Sequence, residues 1–109
     1  MKVKDLVQEL KLEALTSSGL ENEVTGVYAC DLLSRVMSGC DAGDVWITVQ
    51  THLNVLAVAE LDEAACILVP EGIVAPAETV EKAEEKGIPI LSAQMDTYEL
   101  CWRLHDLLS

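Results

Sequence analysis

The chain has no run of about 18 uncharged apolar residues, so a membrane-spanning helix is not expected, although half of its 109 residues are apolar. Met1-Lys2-Val3-Lys4-Asp5 leads into an amphipathic pattern and not into a secretory apolar stretch, which argues against a signal peptide and for a cytoplasmic location. Basic residues are scarce: seven Lys and Arg against nineteen Asp and Glu give a net charge of −12. A surface of that sign repels nucleic acid and anionic lipid, so neither is an expected partner. Metal-ligand spacing is also missing, because Cys30, Cys40, Cys66 and Cys101 form no CxxC, zinc or iron–sulfur pattern. Cys30 is expected to close one strand and Cys66 to open another, a separation of about 15 Å in a parallel sheet and too far for a shared metal. The cysteines read as small buried hydrophobes, and no metal or other cofactor is expected. No internal repeat, linker or low-complexity segment interrupts the chain, which reads as a single domain over residues 1–109.

A chain of this length removes roughly two thirds of its unfolded surface from water and can fold around one core without staples. Val3, Leu6, Val7 and Leu10 recur at helical spacing and predict a first helix. Glu13 to Thr16 reads as a short extended piece before the turn Ser17-Ser18-Gly19, and Val24 to Cys30 as a strand. Asp31 is the expected N-cap of a short helix from Leu32 to Met37, which Ser38-Gly39 and Asp41-Ala42-Gly43 end. Val45 to Gln50 is the next strand, and Thr51 or His52 opens a helix through Leu61 that is apolar nearly all round. Cys66 to Val69 is a strand, Pro76 starts a helix that Gly87 ends, and Ile90 to Ser92 is a further strand. Asp96 with Glu99 resembles a capping box at the start of the last helix. Alternating strands and helices predict an α/β fold, a three-layer α/β/α arrangement with a mainly parallel central sheet. Glu78, Glu81, Glu84 and Glu85, with Lys82 and Lys86 among them, read as a solvated helix face.

The most informative stretch is Val45 to Ala59, where an apolar strand runs through Thr48, Gln50, Thr51, His52 and Asn54 into an apolar helix. Parallel strands share a direction. Their trailing residues should therefore gather along one edge: Asp31, Ser34 and Arg35 after one strand, Thr48 to Asn54 after the next, Ser92 and Gln94 after another. Ser34, Arg35, Thr48, Gln50, Thr51, His52 and Asn54 are the candidate ligand-binding residues of that edge. Thr51 capping its helix, with Asn54 at the third helical position returning the bond, is the competing structural account. No Ser or Cys has the context of a nucleophile elbow and His105 lies far along the chain, so no triad is proposed and no catalytic residue is expected. In the last helix, Leu100, Leu104, Leu107 and Leu108 would face the core, while Tyr98, Trp102 and His105 fall on nearly the opposite side. That second face predicts a protein interface, with a homodimer as the first expectation.

Val24–Gly39, Gly43–Ala59 and Glu81–Leu91 resemble the DRTGG domain, a module similar to the amino-terminal domain of HPr kinase/phosphorylase and, more distantly, to that of Mur ligases. The likeness spans almost the whole chain and is most specific from Asp44 to Ala59; the motif that names the family survives as Thr25-Gly26 within Glu23-Val24-Thr25-Gly26-Val27. The resemblance implies a non-catalytic accessory role. Such domains occur fused to pyrophosphatases with CBS domains, fused to phosphotransacetylases, and as short proteins of anaerobes near hydrogenase-type redox proteins. It therefore implies two functions: a regulatory module for a small, nucleotide-like ligand that acts through self-association, or an adaptor for a protein partner in a redox or signalling system. Ser34-Arg35-Val36 followed by Gly43-Asp44 echoes the Ser-Arg and Gly-Asp pattern with which Mur ligase relatives hold a UDP group.

Overall fold

Residues 66–69, Cys-Ile-Leu-Val, offer no polar face, and a strand of that kind is stable only with a layer on each side. The computed structural model, which describes residues 1–109, supplies both layers. Along the chain come α1 (Val3–Leu10), β1 (Glu13–Ala14), β2 (Gly26–Ala29), α2 (Leu33–Gly39) and β3 (Asp44–Ile47). They are followed by α3 (Asn54–Asp62), β4 (Cys66–Val69), α4 (Ala77–Lys86), β5 (Ile90–Ser92) and α5 (Thr97–Leu108). One sheet forms in the order β1-β5-β4-β3-β2, with β2 to β5 parallel and only β1 running the other way. The predicted three-layer α/β/α architecture is the one that forms. No helix is long and apolar enough to cross a membrane.

The period of two along each strand sorts the core into two halves. Val45 and Ile47 of β3, Cys66 and Leu68 of β4 and Leu91 of β5 pack toward α1 and α5, against Val3, Leu6, Leu100 and Leu104. Trp46, Ile67, Val69 and Ile90 pack toward the other side, against Val36 of α2, Val55, Leu56 and Ala59 of α3 and Ala83 of α4. Trp46 is fully buried, and its Nε1–H is satisfied by the Cys30 carbonyl at 2.9 Å. Of α3, expected to be buried nearly all round, Val55, Leu56, Val58 and Ala59 are buried, whereas Ala57 and Leu61 face water.

The bounds of α4 and the start of α5 fall as expected, whereas α2, expected to end at Met37, runs through Gly39. Pro76 and Gly87 bracket α4, and the Asp96 carboxylate accepts the Glu99 amide at 2.9 Å at the start of α5. Glu99 does not close the box, because its own carboxylate pairs with Arg103 at 2.8 Å. Two expected caps are corrected. Asp31 does not cap α2, whose N-cap is Leu32 with no side-chain bond; its carboxylate instead reaches the end of β3. Thr51 does not cap α3 either: it offers only its carbonyl, to the Thr79 hydroxyl at 2.9 Å, and α3 begins three residues later, at Asn54. Asn54 is consequently the first helical residue and not the third. The strand expected to reach Gln50 stops at Ile47, because the Thr48 hydroxyl accepts the Gln50 amide at 3.1 Å and turns the chain off the sheet.

At the opposite edge of the sheet, the start of β2 and the start of β3 interlock. Gly26 leaves room for the Asp44 carboxylate, since a Cβ there would stand 2.5 Å from Asp44 Oδ1. The Thr25 amide donates to the Gly43 carbonyl at 2.9 Å, and the Thr25 hydroxyl to Ala42 at 3.3 Å. The surviving motif residues Thr25-Gly26 thus pair with Gly43-Asp44. One further acidic residue departs from the solvated-face reading: Glu84 accepts the Ser17 and Ser18 amides at 2.8 and 2.7 Å. Bonds from Ser18 and Ser17 hold the Glu84 carboxyl down at about 2 and tie the β1–β2 connection to α4.

Burial raises the Asp44 carboxyl above its ordinary value of 3.8, against the opposing bond from the Asp41 amide. A raised value means that the folded state binds this proton more tightly than the unfolded state. Asp44 therefore weakens the fold above that raised value, and the penalty fades as pH falls toward 3.8. Asp44→Asn retains an acceptor for the Asp41 amide, so it should raise the melting temperature at pH 7. The gain should shrink as pH falls toward 4, which thermal melts of both proteins across that range will measure.

Candidate functional site

The four parallel strands end on one edge of the sheet, and the loops that follow them carry the residues selected from the sequence. The centre of that edge is built around Asp31. Its Oδ1 accepts the Thr48 hydroxyl at 2.8 Å and the Val49 amide at 2.9 Å, and its carbonyl accepts Gln50 Nε2 at 3.1 Å. Thr48 is buried while Asp31, Val49 and Gln50 remain exposed, so the network sits at the mouth of the sheet. His52 and Asn54 form a second pair, in which the Asn54 amide donates to His52 Nδ1 at 3.3 Å. Both are exposed, and Asn54 joins the local network through its backbone.

Ser34 and Arg35 lie exposed in the first turn of α2, following the same edge. Arg35 contributes its carbonyl to bonds from Tyr28 Oη at 3.4 Å and Ser38 Oγ at 3.2 Å. Its guanidinium is free. Five of the seven basic side chains are held in ion pairs: Lys2 and Lys4 with Glu21, Lys82 with Glu85, Lys86 with Glu60 and Arg103 with Glu99. Only Lys11 and Arg35 remain for an external anion. Gly43-Asp44, paired with Ser34-Arg35 in the sequence echo, stands at the start of β3, so the two halves of that echo lie at opposite ends of the strand.

Concavity lies elsewhere on this edge. None of Ser34, Arg35, Thr48, Gln50, Thr51, His52 and Asn54 lines any of the five surface cavities. Ser92 and Gln94 line two of them, of about 520 and 460 Å³. The topology accounts for the smaller of the two, which Gly72, Ile73 and Val74 after β4 also line. The connections after β2, β3 and β4 lead to helices on one face, whereas β5 leads to α5 on the other. Loops that diverge to opposite faces open a crevice between their strands, here between β4 and β5. That crevice is laced shut by Glu71 N–H to Met95 O at 2.9 Å and Gly72 N–H to Ala93 O at 2.8 Å. Glu71 and Gly72 both adopt left-handed backbone, and a Cβ at position 72 would stand 2.7 Å from Gln94 Oε1. Sequence reasoning passed over Pro70-Glu71-Gly72, whose turn composition was a visible signal, because the strand order that gives it meaning was not.

The edge offers hydrogen-bonding groups and one unpaired cation. His52 bonds a backbone amide, and no serine or cysteine is paired with it. Burial pushes the Cys40 and Cys66 thiols up to about 12 and raises Cys101 as well, which leaves them poor nucleophiles. No group of three or more His, Cys, Asp or Glu is placed to hold a metal ion.

The hydrogen bonds made by Thr48 and Thr51 predict different costs of removal. Thr48→Val removes a donor to Asp31 and an acceptor for Gln50, and should lower stability by about 1–2 kcal/mol. Thr51→Ala removes no side-chain bond and should change it by less than about 0.5 kcal/mol. Urea unfolding of both variants measures the difference.

The fold has a counterpart among solved structures. The CBS and DRTGG domains of the regulatory region of Clostridium perfringens pyrophosphatase, crystallised with the activator diadenosine tetraphosphate, have a similar fold, with a TM-score of 0.71 at 17% identity. The similarity covers 90% of this chain and 43% of that one, so this chain spans less than half of the neighbour. No curated protein matches the sequence significantly. The model of the DRTGG domain matches residues 5–107, nearly the full length. A parallel sheet with its loops on one edge, the Thr25-Gly26 remnant at the other and a match of that extent place the chain in one family: it belongs to the DRTGG domain family.

Proposed function

We propose that this chain is a single-domain, non-catalytic regulatory module that binds a small, nucleotide-like ligand at the edge where β2 to β5 end. The observation that carries the reading is the bonded network of Asp31, Thr48 and Gln50 on that edge, followed in the same loop by the His52–Asn54 pair, with the unpaired Arg35 in the first turn of α2. The similar fold in a regulatory region crystallised with diadenosine tetraphosphate supports a nucleotide as the first ligand class to test. Arg35 supplies the cation for a phosphate, and the exposed amides of Gln50 and Asn54 supply donors and acceptors for a base or sugar. Self-association transmits the signal, through the face of α5 that bears Tyr98, Trp102 and His105. Tyr98 is 79% exposed and Trp102 44% exposed, while Leu100 and Leu104 on the other side are fully buried.

The same exposed Tyr98 and Trp102 favour a second reading, in which the chain is an adaptor for a protein partner in an anaerobic redox or signalling system and the edge is only structural.

Calorimetry with diadenosine tetraphosphate and a panel of nucleotides and nucleotide sugars separates the two. Under the first reading at least one compound binds saturably, and Asn54→Ala and Arg35→Ala each weaken it by about fivefold or more, near 1 kcal/mol, while the domain stays folded. Failure of every compound at millimolar concentration would remove that reading and leave the adaptor.

A further inference from the structure

We propose that the free edge of β2, with the groove beside it along α5, is the surface through which two copies of this chain associate. The proposal rests on the self-association part of the functional reading and deepens it by assigning the contact. β2 is the last strand of the sheet, paired with β3 on one side and with nothing on the other. Its four residues, Gly26, Val27, Tyr28 and Ala29, include no lysine, no proline and no charge, the usual guards of an open edge. The far edge of the sheet differs, because there β1 closes β5 with an antiparallel pair.

Beside β2 lies a groove of about 490 Å³, formed with α5 and lined by Thr25, Val27, Ala29, Cys101, His105 and Leu108 among others. Each of the other four cavities is lined by at least one Asp, Glu, Lys or Arg side chain; this one, which Ser109 also lines, has none. In a chain of net charge −12 that gap selects the occupant. A basic partner is drawn to the acidic surfaces, such as the α4 rim where Glu60, Glu78, Glu81 and Glu85 outnumber Lys82 and Lys86, and gains little from a groove without acidic side chains. A second copy is repelled wherever acidic surface meets acidic surface, and a neutral strip is where that repulsion is least.

Two-fold symmetry makes the match self-complementary. An axis between Val27 and Tyr28 sets β2 antiparallel to its copy, Val27 facing the partner's Tyr28 and Gly26 facing the partner's Ala29, with no charged side chain in the paired segment. The two sheets then join into one. A strand pair this short buries too little for a stable dimer, which commonly hides about 800 Å² per partner. The α5 surface must supply the remainder, and its exposed residues run from the groove at His105 back to Trp102 and Tyr98.

Sedimentation of the full chain tests this. Wild type should dimerise, and Ala29→Glu and Ala29→Lys should both raise the dimer dissociation constant by at least about tenfold. Ala29 is exposed, so neither change disturbs the core. The lysine variant matters because a contact limited only by overall charge would tighten with it. If wild type dimerises and both Ala29 variants do so equally well while Trp102→Ala falls apart, the β2 edge is overturned and self-association stands. If wild type stays monomeric at high micromolar concentration, both are overturned. Should either Ala29 variant fail to fold, hydrogen exchange of wild type decides instead. Amides of residues 26–29 that gain protection with protein concentration support the edge, and amides indifferent to concentration overturn it.

Discussion

Strands β3 and β4 are buried residue by residue on both faces, and the rest of the molecule follows from that constraint. A sheet that must be covered twice cannot be built from hairpins alone, so each connection between parallel strands becomes a helix laid on a face. Three of them, α2, α3 and α4, lie on one side because the strands advance one neighbour at a time in the same direction. The other side is left to α1 and α5, which come from outside the repeat. Parallel direction then brings every strand-following loop to one edge, and the functional reading depends on that edge.

The Asp31 network shows what this edge is suited to. A carboxylate already occupies the Thr48 hydroxyl and the Val49 amide, the two donors that a free anion would otherwise find at the end of β3. The bonds fix the loop, and they leave Arg35, Gln50, His52 and Asn54 exposed around it. The free guanidinium and the exposed amides are the groups that the proposed ligand site would use. The Thr25-Gly26 remnant of the family motif stands at the far end of the same strands, where it serves packing against Gly43 and Asp44.

Some local signals are legible in the sequence alone, though the Thr51 cap and the Ser38-Gly39 stop are not among them. Pro76, Gly87 and Asp96 act on their own neighbours within a turn, and the helices they bound are where they should be. Asp31 was misread for the opposite reason: a carboxylate before a helix can cap it or reach across to another strand, and only the pairing of β2 with β3 tells which. Glu84 sits in an ordinary exposed helical pattern, yet it anchors a loop 66 residues away in sequence. The crevice between β4 and β5 was hidden because it depends on strand order, which no periodicity records. Five of the seven candidate residues on the edge, Ser34, Thr48, Gln50, Thr51 and Asn54, are polar residues without a charge, and such residues satisfy a turn and a ligand equally well.

The central claim is that the edge formed by the ends of the parallel strands is a ligand-binding surface. An amide-resolved nuclear magnetic resonance titration with diadenosine tetraphosphate tests it most directly. The account predicts saturable shifts concentrated at residues 31–35 and 48–54, with Ala42, Gly43 and Ala65, at the opposite edge and outside the β2 contact, unmoved. Shifts confined to that opposite edge, or none at millimolar ligand, would contradict it.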